Sequence, residues 1–507
     1  MVAAVDRATR GVWLVALALA ASASAARDAG ATTRVLFGSC NRATLPQPLW
    51  EHVLAREPDA WVWAGDNVYG DEIRAGRRVP ATPARLRELY ARQRAQPGYA
   101  QLLRSNATVV GTWVCAREPR RAPRREAHAE RPPLRARAPQ DDHDFGVNDG
   151  DRTYAHREAS QALFLDFIRE PRFSARRRRR GVYGATHLRA PRPPAEAPAS
   201  AEGARGRSGV LLIMLDVRYH KQPYTPDGTG DFLGEEQWAW LERTLRSSRA
   251  RAHVLVSGVQ VLSAKGIGEG WSRFPAARRR LLALLHALRT AAPLLVSGDI
   301  HMAELNLAAC AQGAGAGATP VGTRLVELTS SGMTHSWSHR PLPDLIAGPV
   351  SDAIFGGAMH VAQQSMPWAY LARGAGVGAA RGHGPGFHVG LNFGQVDFAW
   401  DAPGGPRARL SIVGERGQEV LSRWWMLAEL DLFAAEPDGT SEWTCRPAGG
   451  GAELPTRLDV WRGLLLCAAK LAAGLALVTA AGARAVHVAW RALSPARPAG
   501  LAAASCR

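Results

Sequence analysis

The sequence predicts an α/β fold with mixed sheets. Three observations predict it: short apolar runs that end on charged or metal-capable side chains, helical periodicity between them, and a later stretch of strands parted by Gly/Pro turns. Arg34-Val-Leu-Phe-Gly-Ser runs into Cys40, and Trp61-Val-Trp-Ala-Gly into Asp66, with Tyr69 three residues on. Val210-Leu-Leu-Ile-Met-Leu runs into Asp216 and Arg218, and Pro293-Leu-Leu-Val-Ser-Gly into Asp299 and His301. Each reads as a buried strand. Leu86 to Leu103, Glu235 to Leu245 and Arg278 to Leu288 read as helices; in the second, Trp238, Leu241 and Leu245 fall three and four apart on one face. Arg324 to Leu328, Gly390 to Phe398 and Ala408 to Val413 read as strands, with no helix between the last two. That part of the sheet is therefore antiparallel or mixed.

In open α/β sheets ligands bind beyond the carboxyl ends of the strands, so the residues closing these runs are expected to converge. A lone aspartate after a strand is commonplace. Four strands that deliver Cys, Asp, Tyr and His favour a metal centre. Asp141-Asp142-His143-Asp144 adds an imidazole among carboxylates, and Thr329-Ser-Ser-Gly-Met-Thr-His335 follows another strand. A hydrated loop could carry the acidic cluster for solubility, but its company of strand-end ligands favours the metal.

The 507 residues are 46% apolar, enough for a substantial core, and carry a net charge of +18. Such a charge would suggest nucleic acid or an acidic membrane. Its distribution argues otherwise. Residues 114–140 hold eight Arg against three Glu and residues 172–207 ten Arg against two Glu, so two Arg/Pro/Ala-rich stretches carry 13 of the 18 charges. They read as solvated insertions, and nucleic acid is not an expected partner.

Residues 1–26 read as a secretory signal peptide: Arg7 and Arg10, an apolar run, then Ala23-Ser-Ala25 as a cleavage site. The secretory route permits a Cys310–Cys445 disulfide and makes Asn106-Ala-Thr108 a glycosylation site. Residues 27–456 read as one catalytic region and 457–507 as a tail. The apolar stretch 464–483, broken by Lys470, is long enough to span a bilayer, with an amphipathic surface helix as the alternative. The expected location is secreted or anchored at the cell surface.

In order along the chain, FGSCN (37–41), GDNVYGDE (65–72), DDHDFGVND (141–149), LDVRY (215–219), FLGEEQW (232–238), SGDIH (297–301) and LTSSGMTH (328–335) resemble the PhoD-like (alkaline phosphatase D) family of calcineurin-like metallophosphatases. The resemblance implies a four-layer α/β/β/α sandwich with mixed sheets. It also implies a phosphoric ester hydrolase that attacks a phosphate mono- or diester with metal-bound hydroxide. Its cofactors would be Fe3+ and Ca2+, with Cys40, Asp66 and Tyr69 on the iron and Asp66 between the two metals. Asp142, Asp299 and His301 would complete the ligand set. Ferric iron stabilises thiolate and phenolate, whereas calcium prefers carboxylate oxygens. By the same resemblance His143 helps to protonate the leaving oxygen, Arg218 neutralises phosphate charge and Asn67 binds substrate. His335 either lines the pocket or serves the structure. The other reading is a catalytically inactive, surface-attached scaffold on the same fold.

One departure stands out. The family pattern runs Gly-Thr-Trp straight into Asp-Asp-His-Asp, whereas 27 residues, 114–140, separate Trp113 from Asp141 here. Removing them restores the motif, in frame, so the segment is read as a retained intron or a gene-model error.

Overall fold

A computed structural model describes residues 31–74, 77–113, 143–147, 150–191, 207–264, 269–312, 319–339, 349–366, 368, 370–372, 386–432, 443–448 and 456–493. The signal peptide, segment 114–140 and Asp142 lie outside them. In chain order the strands are β1 (Thr32–Gly38), β2 (Ala60–Ala64), β3 (Glu72–Arg74), β4 (Arg77–Val79), β5 (Thr108–Thr112), β6 (Gly184–Leu188), β7 (Val210–Met214) and β8 (Ala252–Ser257). They continue with β9 (Pro293–Ser297), β10 (Ala303–Gln312), β11 (Thr319–Ser330), β12 (Phe387–His388), β13 (Asn392–Ala399), β14 (Arg407–Gly414), β15 (Glu419–Met426) and β16 (Trp443–Pro447). The α-helices are α1 (Leu49–Leu54), α2 (Pro83–Ala95), α3 (Pro97–Leu102), α4 (Arg157–Phe167), α5 (Gly234–Ser247), α6 (Pro275–Ala287), α7 (Pro349–Ser365), α8 (Leu427–Leu430) and α9 (Arg457–Leu493).

Two mixed sheets dominate. The first has the order β15-β14-β13-β1-β2-β5, with β1, β2 and β5 parallel and the rest antiparallel. The second runs β12-β10-β11-β9-β8-β7-β6, with β7, β8, β9 and β11 parallel, and β16 pairs with β10. The mixed α/β class expected from the sequence is present.

Strand side chains alternate between faces, and the core follows that period of two. Val35, Phe37, Val62 and Ala64 of the first sheet share one cluster with Leu212, Met214, Val254, Val256, Leu294 and Val296 of the second. Their neighbours point the other way. Leu36, Trp61 and Trp63 pack with Trp50, Leu86, Tyr99 and Phe164 of the helices. Ile213, Leu255 and Leu295 pack with Trp238, Leu241, Leu281 and Leu285.

Two expectations need correction. Leu86 to Leu103 is two helices rather than one, because Pro97 has no N–H to give and Gln96 before it takes an extended ψ of 126°. The basic stretch 172–207 is also no uniform solvated insertion. Arg176 is buried, donating to the Val182 and Gly111 carbonyls and pairing with Glu170 at 2.9 Å, and β6 edges the second sheet. A short-range pattern of arginines cannot reveal that one of them points inward.

The Cys310–Cys445 disulfide forms, across the β10–β16 register. Replacing Cys445→Ser should destabilise the body by about 2–5 kcal/mol, since the bridge closes a long loop. A lower melting temperature in the variant, and reductant sensitivity in the wild type only, would be the readout.

His253 on β8 is buried, with Nδ1 against the Ala291 carbonyl (2.7 Å) and Nε2 against the Ser248 hydroxyl (2.8 Å). Burial pushes it down to about 4 from 6.5. The unfolded chain binds a proton first, so stability is lost as pH falls from about 6.5 to about 4, by up to about 3 kcal/mol. Urea midpoints at pH 7 and pH 4.5 should differ less in His253→Gln than in the wild type.

Candidate metal centre

The ends of three parallel strands build the site. Beyond β1, β2 and β9 the chain turns sharply, and Cys40, Asp66, Asp299 and His301 all take left-handed backbone conformations, with φ of 59°, 46°, 82° and 53°. Only eight non-glycine residues do so among the described ones, and half of them are these. Each such residue costs about 1–3 kcal/mol, and such strain clusters at functional sites. Gly298 lets the two sheets meet there: a Cβ on it would lie 2.4 Å from the Ser39 hydroxyl and 2.7 Å from the Ala64 carbonyl. No larger residue fits.

Metal-capable atoms converge at this edge. A thiol, carboxylate and imidazole atom of Cys40, Asp66 and His301 lie within 4.8 Å of one another, all buried. The Tyr69 hydroxyl lies 3.2 Å from Asp66 Oδ2 and 3.4 Å from His301 Nε2. Soft sulfur, phenol, carboxylate and imidazole in one buried pocket fit a transition-metal ion, and none of them supplies a fixed positive charge. Asn67 presents its amide NH2 to Asp144, and its buried Oδ1 has no hydrogen-bond partner among the described residues, so it fits a cation as well. Asp299 is buried two residues before His301, and its charge, like that of Asp66, is felt at Arg218.

His143 stacks on the Tyr69 ring at 4.1 Å, its backbone N–H donates to Asp66 Oδ1, and its ring Nδ1 contacts Asp71. His335 closes the other side, 5.0 Å from the Tyr69 ring and 4.4 Å from that of His301. Arg218 is placed differently from an arginine that reaches into solvent for phosphate. It is fully buried, donating to the Gly150 carbonyl and pairing with Glu269, which also faces Lys221 Nζ at 3.2 Å. Burial pushes Arg218 down to about 9, against the opposing pull of Tyr224, Asp299 and Asp66. Burial also pushes Glu269 up, but two cations against one carboxylate favour its ionised form.

The sequence reading missed four residues. Ser331 sits between the two halves of the centre, its hydroxyl 2.7 Å from Cys40 Sγ and accepting from the His301 N–H at 2.8 Å. Arg42 lays its guanidinium over the Tyr69 ring at 4.4 Å, and its Nε has no hydrogen-bond partner among the described residues. Asp71 orients His143, and Glu269 holds Arg218. The first three lie in or beside quoted motifs. Glu269 had no local signal, because its partner is 51 residues away.

Residues 205–341 match the family model described as PhoD-like phosphatase. Over that interval the chain is similar to PhoD-like phosphatases. The matched interval holds Arg218, Asp299, His301, Ser331 and His335, while Cys40, Asp66 and Tyr69 precede it. A solved structure titled "Structure of PhoD" is 12% identical, with 87% of this chain and 77% of that one covered and a TM-score of 0.46. That likeness is too low to transfer residue roles. No curated protein matches.

Glu269→Gln should destabilise the fold by about 3–5 kcal/mol, because Arg218 and Lys221 would stay buried without a counter-charge. Chemical denaturation checks this. An unchanged midpoint would mean that the cations are neutralised elsewhere.

Proposed function

We propose that this chain hydrolyses phosphate mono- or diesters at the Cys40–Asp66–Tyr69–His301 cluster. The observation that carries this reading is the convergence of those four side chains at strand ends whose backbone is held left-handed. Cys40, Asp66, Tyr69 and His301 would hold an iron, and Asp66 with Asp299, Asp142 and Asn67 a second cation such as calcium. Bound cations supply Lewis acidity to phosphoryl oxygens and make a hydroxide nucleophile available near neutral pH.

The chain's own groups do the rest. Asp71 fixes the His143 ring through Nδ1, which leaves Nε2 to carry the proton given to the leaving oxygen. Arg218 acts from behind: locked by Glu269, it offsets the negative charge of Asp66 and Asp299. Arg42, half-buried above Tyr69, is the better placed arginine to meet phosphate oxygens with its planar fork. His335 lines the pocket wall, and the body is proposed to work after secretion or at the cell surface.

Asp66→Asn and Cys40→Ser should each lose bound metal and all turnover while the far-ultraviolet dichroism stays native. Metal analysis combined with hydrolysis of a chromogenic phosphate ester tests this, on chains with and without 114–140. Full activity in metal-free protein, or in Asp66→Asn, would remove the reading. Arg42→Ala should raise KM by about tenfold, the loss of one charge-assisted contact, with a smaller change in kcat.

A further inference from the structure

We propose that α9 crosses a lipid bilayer once, with the folded body on the oxidising side and the chain beyond α9 emerging on the other. The segment Leu458–Leu477 is 20 residues long with a mean hydropathy of 1.6. At about 1.5 Å per residue it spans about 30 Å, the thickness of a hydrocarbon core. Two other kinds of segment share that composition. A core helix of a soluble body would be covered, but only 6% of this window is buried. A cleaved signal sequence would stand at the other end of the chain.

The distribution of exposed side chains separates a spanning helix from one lying on the membrane surface. Leu464, Leu465 and Leu466 are 47%, 67% and 48% exposed. Successive residues in an α-helix turn by about 100°, so these three point to different sides. Leu458, Trp461, Leu471, Leu475 and Leu477 are exposed as well. A surface-lying helix keeps one side polar and charged; one that is apolar all round is buried in protein or lipid. Contact with the body runs through α7 and leaves these leucines uncovered. Asp459 and Arg462 lie in the first turns of the span, near one interface; Lys470 is the one charge deeper in it, and its long stem can carry the ammonium towards the nearer interface.

Arginines flank the apolar stretch on both sides, so charge bias does not choose the orientation. The disulfide does. β16 ends at Pro447, α9 begins at Arg457, and Cys445 of β16 is bonded to Cys310. Structural disulfides form and persist in oxidising compartments, which puts the body, and the entry side of α9, there.

The test uses the full chain with a C-terminal epitope, made in microsomes. Nearly all of it should stay with the membranes through alkaline carbonate and float with them in a density gradient. Protease added outside should remove the epitope while the disulfide-bonded body stays protected. Leu466→Arg combined with Leu475→Arg places two more charges in the span and should move most of the chain from the membrane fraction to the carbonate supernatant. Release of the wild type by carbonate, or sedimentation without flotation, would overturn the span. A protected epitope would overturn the orientation. None of these outcomes depends on phosphatase activity.

Discussion

The close approach of two sheets at one edge sets the terms for everything else. β1 and β2 belong to one sheet and β9 to the other, yet all three deliver side chains to a single place. That requires abrupt turns immediately after the strands, and the left-handed residues Cys40, Asp66, Asp299 and His301 provide them. Such conformations persist only when the surroundings over-determine them. Here the surroundings are the shared core of both sheets, with thirteen buried β1, β2, β7, β8 and β9 side chains packed between them. The hydrophobic cluster thus offsets the backbone strain, and the strain fixes where sulfur, oxygen and nitrogen donors point.

How much of this the sequence disclosed depends on range. The strand ends were legible because burial and the residue after it are local: an apolar run that stops at Cys40 or Asp66 needs no knowledge of the rest of the chain. Helix α5 was legible because Trp238, Leu241 and Leu245 share a face. The inward turn of Arg176 and the Arg218–Glu269–Lys221 group were not, since each is settled by partners that periodicity cannot see. Arg218 shows the consequence. Its place in the LDVRY motif pointed to phosphate, whereas its burial and its pairing with Glu269 make it a fixed charge behind the carboxylates.

The electrostatics of the site follow from that arrangement. Asp66, Asp71, Asp144 and Asp299 are all buried within the same region, and uncompensated carboxylates there would be driven to take up protons. Among the described residues, compensation comes from Arg218 and from Asn67, backbone and hydroxyl donors around the carboxylates. On the opposite side Cys40, Tyr69 and His301 face Asp66, with the Tyr69 hydroxyl donating to Oδ2 and the Arg42 guanidinium lying over the Tyr69 ring. A buried cluster of thiol, phenol, carboxylate and imidazole is suited to a cation, which is the physical basis of the proposed reading.

The interrupted motif can be weighed in the same terms. Trp113, the last residue before the break, packs its ring 5.0 Å from that of Phe145, just after it, and donates from Nε1 to Asp216. The two flanks therefore meet across the 27 intervening residues as they would if joined directly. Closing a loop of that length adds only a little entropy cost over a short one, so the fold tolerates it. The burden falls on the residues at its exit. His143 is held by Asp66, Asp71 and the Tyr69 ring, whereas Asp142 is one step closer to the inserted chain. A translated 114–140 would thus act first on its sequence neighbour Asp142, whereas Cys40, Asp66, Tyr69 and His301 are supplied by segments distant in sequence.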